Sequence, residues 1–200
     1  MFYTEPFGIN IIGGGIRVTY LSTTITNYLI CKDIIKQSEK EIYQYGVLTL
    51  IVNLIGILEI LILGWITNAL YLSVIFIISF MILRSFTGGF HCKHYIPCNV
   101  TYGCLYLLCT YVHLQIVSGF ILELVCVLSV LVICYMSPVI HVNKPLDEKK
   151  KKRNRVIAIS ISVILFLLSF IGIQFGIIKY VLISTALLQL ITIRRNDYVK

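Results

Sequence analysis

Residues Gly46 to Gly64 read GVLTLIVNLIGILEILILG, with Glu59 as the one ionisable group. A helix that crosses a bilayer needs about 20 mostly apolar residues, within a range of about 17–25. This stretch fits that range and has no polar stripe for water to wet. Five further stretches meet the same requirement: Ile66–Leu83, Val100–Ser118, Gly119–Ser137, Val156–Ile173 and Ile177–Ile193. They pair into three close hairpins, broken at Trp65 to Asn68, at Ser118-Gly119 and between Gly172 and Gly176. The expected fold is all-α: a polytopic membrane protein of about six transmembrane helices, preceded by N-terminal amphipathic helices.

Composition agrees with this. Hydrophobic residues make up 58% of the chain and charged ones 13%, and mean hydropathy is +0.91. Soluble domains carry about 25% charged residues, so this much apolar sequence requires an apolar solvent. The net charge of +8 raises nucleic acid as a partner, but the positions of the charges point elsewhere. With the N-terminus inside, the inner segments are 1–45, 84–99, 138–155 and 194–200. They hold every one of the 17 Lys and Arg residues except Lys179. Basic residues concentrate on the cytoplasmic side of membrane proteins. The expectation is therefore a multi-pass membrane protein, with both termini and the 84–99 segment cytoplasmic. Its surroundings are the lipid bilayer, and no nucleic acid is expected.

Residues 1–45 are mixed in character. Val18, Leu21, Ile25, Tyr28 and Leu29 recur at helical spacing, and Ile34 to Tyr45 forms a second, more charged stretch. Either a membrane-surface role or simple packing on the membrane domain accounts for both. The organisation expected is 1–45 as interfacial helices and 46–200 as the membrane domain, with a candidate catalytic loop at 84–99 and a basic loop at 138–155. No basic and apolar leader marks a secretory signal in Met1 to Asn10. Of the seven cysteines, Cys104, Cys109, Cys126 and Cys134 lie in apolar runs and read as small hydrophobes. Glu59 and Glu123 fall within spans, where a carboxylate marks a functional candidate, although the sequence pairs neither with a cation.

The segment from Arg84 to Cys98 reads RSFTGGFHCKHYIPC. It gathers an arginine, a Gly-Gly pair, two histidines and two cysteines between the second and third spans. Three readings are open. In the first, His91 takes the proton of Cys98, because the thiolate is the nucleophile and free thiols are mostly protonated at pH 7. The two positions are about two helical turns apart, and Pro97 and Gly88-Gly89 favour a bent path that lets them meet. The Gly88-Gly89 backbone would then offer N–H groups to an oxyanion. In the second, His91, Cys92, His94 and Cys98 bind zinc, although their spacing matches no standard zinc module. In the third, the segment is a plain polar turn.

Arg84, Gly88-Gly89, His91 and Cys98 resemble the central motif of the AgrB family, the accessory gene regulator membrane peptidases of Gram-positive quorum sensing. Ser137-Pro138 to Asn143-Lys144-Pro145-Leu146 resembles the family's proline and N-K-P-L stretch before a basic loop. The resemblance implies a cysteine endopeptidase that cleaves a short AgrD-type propeptide and closes a thiolactone or lactone ring. Cys98 would be the nucleophile and His91 its base, with Arg84, Gly88 and Gly89 supporting or positioning the substrate. It implies neither a cofactor nor a metal, and a homodimer as the assembly. Cys92 and His94 fall at variable motif positions. A non-enzymatic membrane binder or exporter of a peptide is the alternative. The run Lys149 to Arg153 reads either as a lipid-facing anchor or as a contact for an acidic precursor tail.

Overall fold

A computed structural model describes residues 15–88, 95–116, 119–141, 147–193 and 198–199. Seven α-helices follow in order: α1 (Gly15–Cys31), α2 (Lys40–Ile66), α3 (Leu70–Thr87), α4 (Tyr95–Gln115), α5 (Phe120–Met136), α6 (Glu148–Leu168) and α7 (Ile177–Ile193). Single 3-10 turns, Gln37–Glu39 and Ile173–Gly176, lead into α2 and α7. Two-residue strands β1 (Ile140–His141) and β2 (Tyr198–Val199) pair antiparallel, Ile140 opposite Val199.

The helical breaks fall where the sequence places them. Asn68 turns the chain between α2 and α3 at φ 54°, a left-handed conformation that Asn tolerates well. Gly119 precedes α5, and the Ile173–Gly176 turn separates α6 from α7. Two boundaries differ from expectation. The stretch Ile34 to Tyr45 is not a separate amphipathic helix: from Lys40 it runs without a break into α2. The basic run expected in a loop forms the first turns of α6. Lys, Arg and Glu are good helix formers, and Glu148 in the first turn complements the positive end of the helix.

Among the described residues, three segments are long and apolar enough to cross a membrane: Gln37–Ile66, Leu70–Thr87 and Ile173–Thr192. The helix α5 is also apolar, at 17 residues.

The described chain divides into two compact units. The first takes residues 1–58 and 92–100, the second 59–91 and 101–200. Within the first, Gln44 donates a 2.8 Å hydrogen bond to Thr23 of α1. The polar Ser22 and Thr26 of α1 are buried, while Leu21, Ile25 and Tyr28 point outward. The apolar stripe read from the sequence therefore faces the surroundings, and hydroxyls face the protein. Those hydroxyls are satisfied locally, Thr26 bonding the Ser22 carbonyl at 2.8 Å.

Within the second unit α3, α5, α6 and α7 pack as a bundle: α3 and α5 each lie against both α6 and α7, and α6 touches α7. Its interior is rich in small polar residues, among them Ser73, Ser129, Ser162, Ser184 and Thr185, while Phe120, Ile121, Leu131 and Leu167 are exposed. These hydroxyls share the interior with Leu72, Phe76 and Leu182, and an apolar exterior around small hydroxylated residues that let backbones approach matches helix packing in lipid. Gly64 illustrates it: a Cβ there would lie 1.6 Å from the Ser73 hydroxyl, which is itself 2.9 Å from the Tyr106 hydroxyl. On α4, Tyr102 packs tilted and Tyr106 edge-on against Phe76 of α3, at 5.5 and 5.3 Å between ring centres.

Candidate functional site

The site is best followed from the end of α3. Arg84 lies in its last turn, and its Nη1 donates a 2.7 Å hydrogen bond to the Gly88 carbonyl. A helix end leaves four carbonyls without intrahelical donors, and this guanidinium satisfies the carbonyl just past the helix. Gly88 caps the helix at φ 67°, ψ −156°, a conformation that disfavours any side chain. Space excludes one as well, because a Cβ at Gly88 would lie 2.3 Å from the Val139 carbonyl oxygen.

That closeness joins two stretches 51 positions apart in sequence, Gly88 and Val139. Gly88 and Val139 form a parallel bridge, and the Val139 N–H donates to the Thr87 carbonyl at 3.0 Å. The Arg84-Gly88 end of one motif thus meets the Ser137-Pro138 start of the other. Ser137 and Pro138 are buried, and the peptide between them is cis. Gln189, fully buried on α7, donates to the Thr87 carbonyl at 3.3 Å and to the Ser137 hydroxyl at 3.0 Å.

One expectation is corrected here. The Gly88 N–H is not open to an oxyanion, because it donates to the Arg84 carbonyl at 3.2 Å and closes the last turn of α3. Arg84, for its part, holds the backbone at the start of the segment.

Cys98 is a free, half-buried thiol in the second turn of α4, one residue after an exposed Pro97. Proline is accommodated in a first helical turn, where no intrahelical partner for an N–H is lost. Cys98 belongs to the first unit, whereas Arg84 and Gly88 belong to the second. Gly89, His91, Cys92, His94, Asn143, Lys144, Pro145 and Leu146 lie outside the described residues. Among the described residues no cluster of metal-ligating side chains occurs.

Beside Ser137 and Pro138 is a cleft of 400 Å³, lined also by Glu148, Lys151, Lys152 and Arg155 of α6. Lys151 is 3.9 Å from Glu148; at this exposure such a pair adds little stability, and the cleft keeps a net positive lining.

The carboxylates within the apolar helices are resolved differently. Glu123 of α5 forms an ion pair with Lys179 of α7, which is 4% exposed and lies 4.6 Å over the Phe170 ring. No local pattern pairs Glu123 with Lys179, because 56 positions separate the two. Glu59 lies against α4, where a Cβ on Gly103 would come within 2.5 Å of its carboxylate oxygen. Gln189 was also missed: a lone amide in an apolar run announces burial, but nothing in the sequence names its partners.

Helices of this length and polarity, with hydroxyls in the interior and an apolar exterior, are those of an α-helical membrane protein. Residues 22–193 match the family model of accessory gene regulator B. The chain belongs to the accessory gene regulator B family. It is 35% identical to an AgrB-like protein of Clostridium perfringens strain 13 over 126 residues, covering 57% of this chain and 58% of that relative. A second AgrB-like protein, from Clostridium perfringens strain SM101, is 29% identical over 165 residues, covering 74% of this chain and 76% of the relative. The match thus spans less than two thirds of the first relative's length. No solved structure matches.

Proposed function

We propose that the chain is a membrane-embedded cysteine endopeptidase that cuts the C-terminal tail from a short AgrD-type propeptide and promotes ring closure of the remaining peptide. The observation that carries this reading is the family match across residues 22–193, which takes in both the Arg84–Cys98 segment and the Ser137–Leu146 segment. The bridge between Gly88 and Val139 supports it, since it ties those two segments together at their ends.

In this reading His91 takes the Cys98 proton, and the thiolate attacks the scissile carbonyl carbon. The C–N bond then breaks, the imidazolium returns its proton to the leaving amine, and the tail departs. The peptide remains on Cys98 as a thioester. A thiol of the substrate attacks that carbonyl, its proton passes to the thiolate of Cys98, and a thiolactone leaves. A substrate serine gives a lactone by the same route. Exchange of one thioester for another is nearly balanced in energy, and exclusion of water favours ring closure over hydrolysis. Because the Gly88 N–H is committed to Arg84, the oxyanion donors in this scheme begin at Gly89. Arg84 orients the segment through the Gly88 carbonyl. The enzyme acts as a homodimer, as the family resemblance implies, and needs no metal or cofactor for these steps.

The test is to trap the acyl-enzyme. A precursor whose ring-forming cysteine or serine is replaced by alanine should leave a peptide adduct on the Cys98 tryptic fragment, released by hydroxylamine. An adduct on Cys92 instead, or cleavage with no adduct, rejects the assignment.

The same reading places six crossings in the bacterial cell membrane, with both termini and the site inside. Its support is that Lys179 alone of the 17 Lys and Arg residues falls on the outer side. At about 1.5 Å per residue the 17 residues of α5 reach roughly 26 Å, close to the hydrocarbon thickness of about 30 Å. An impermeant maleimide should label Asn68→Cys and Gly172→Cys in intact cells, and Lys150→Cys only after lysis. Labelling of Lys150→Cys in intact cells rejects this orientation.

A further inference from the structure

We propose that Gln189 is a positioning residue for the segment that leaves Gly88, acting as a buried amide brace across the ends of three helices. The proposal rests on the peptidase reading above.

Gln189 sits near the end of α7 with no exposed surface. Its Nε2 spends both protons: one on the Thr87 carbonyl at 3.3 Å, one on the Ser137 hydroxyl at 3.0 Å. Thr87 is the last residue of α3 and Ser137 follows the last residue of α5, so one side chain links α3, α5 and α7 where their chains exit. The orientation of the amide is set by chemistry. A carbonyl has no proton to give, so only the NH₂ group can face Thr87, and a flipped amide would set two acceptors against each other. The Thr87 carbonyl receives a second donor, the Val139 N–H at 3.0 Å. That oxygen is therefore the node where the two family motifs and α7 meet.

The geometry explains why an amide is needed. The backbone at Gly88 holds a left-handed conformation against Val139 with no room for a side chain, and nothing apolar grips a glycine. Hydrogen bonds to its neighbours' backbone must define where the chain points as it leaves α3. Arg84 supplies one, at the Gly88 carbonyl. Gln189 supplies the other from the bundle interior. A misplacement of about 1 Å at a reacting group costs on the order of 100-fold in rate, so loosening this brace should appear in turnover before it appears in substrate binding.

Two variants separate donation from bulk. Gln189→Met keeps the size without hydrogen bonds, and Gln189→Glu keeps the shape with at most one O–H donor in place of the two N–H donors. Both should lower kcat for the precursor by between about 10- and 100-fold, with KM within a few-fold. Deuterium exchange should rise at the Val139 amide and stay unchanged in mid-α3. Retention of kcat in either variant, or a rise in KM at unchanged kcat, overturns the proposal. Should neither variant accumulate in the membrane, Ser137→Ala decides, because it removes one partner and leaves the Thr87 bond: a several-fold loss of kcat supports the brace, and full kcat rejects it. Wild-type protein that leaves the precursor uncut defeats the peptidase reading and this proposal with it. Wild-type cleavage beside fully active Gln189 variants defeats this proposal alone.

Discussion

Cys98→Ala should insert normally and leave a co-expressed precursor uncut, with cleavage reduced by at least about 10⁴-fold. The insertion half of that expectation follows from position: Cys98 is a half-buried thiol on α4 with no disulfide partner, and alanine is the best helix former. The chemical half follows from the proposed mechanism, in which the thioester forms on this sulfur and on no other. Cys98→Ser tests the same point with a hydroxyl too weakly acidic for the same base to activate. His91→Ala should match Cys98→Ala, whereas Cys92→Ala and His94→Ala should keep activity. Immunoblots of precursor and product in membranes read all five variants together. Full cleavage by Cys98→Ala defeats the assignment, and loss of activity in His94→Ala together with inhibition by a chelator supports a metal site instead.

The second large effect is expected at Gly88. Gly88→Ala meets two penalties at once. A residue with a Cβ at φ 67°, ψ −156°, a region essentially reserved for glycine, costs roughly 1–3 kcal/mol, and the Cβ would lie 2.3 Å from backbone oxygen at Val139. Backbone cannot swing aside as the tip of a flexible side chain can, so the Gly88–Val139 bridge must open. With it goes the 3.0 Å bond from Val139 to Thr87. Activity should fall by roughly 10- to 100-fold, with a lower unfolding temperature in detergent. Gly46→Ala is the matched control: nothing lies within 4 Å of its added Cβ, and in a helix interior the exchange gains up to about 1 kcal/mol. Equal activity in the two variants would show that the bridge has no part in the reaction.

These cases show which features local sequence can and cannot reveal. The run Ile177 to Ile193 is readable because Gly176 and Arg194 bound it, and local composition decides both its polarity and its ends. The start of α6 was misplaced by the same logic. Lysines end an apolar run, yet they do not end a helix, and α6 begins at Glu148 ahead of the whole basic cluster. The α1 stripe was visible, but its direction was not: periodicity alone leaves open which face turns inward, and here Ser22 and Thr26 do. At the site, Arg84, Gly88, Gly89, His91 and Cys98 stood out through motif resemblance. The sequence also suggested that the Gly88 N–H was free, which only the carbonyl of Arg84 at 3.2 Å could correct. Gln189 and the Glu123–Lys179 pair depend on contacts across 52, 102 and 56 positions. Such pairings are properties of the folded bundle and have no local signature.

The Glu123–Lys179 pair also bears on the order of synthesis. In the proposed orientation Lys179 must be carried to the outer side, against the rule that retains every other basic residue. An unpaired ammonium at the middle of a helix carries an insertion cost of about 3 kcal/mol, reduced toward its ends. The carboxylate that neutralises it lies on α5, which leaves the ribosome first. Lys179 therefore arrives to find its counter-ion already delivered, and α7, apolar enough to cross on its own, enters the membrane with its one charge already matched.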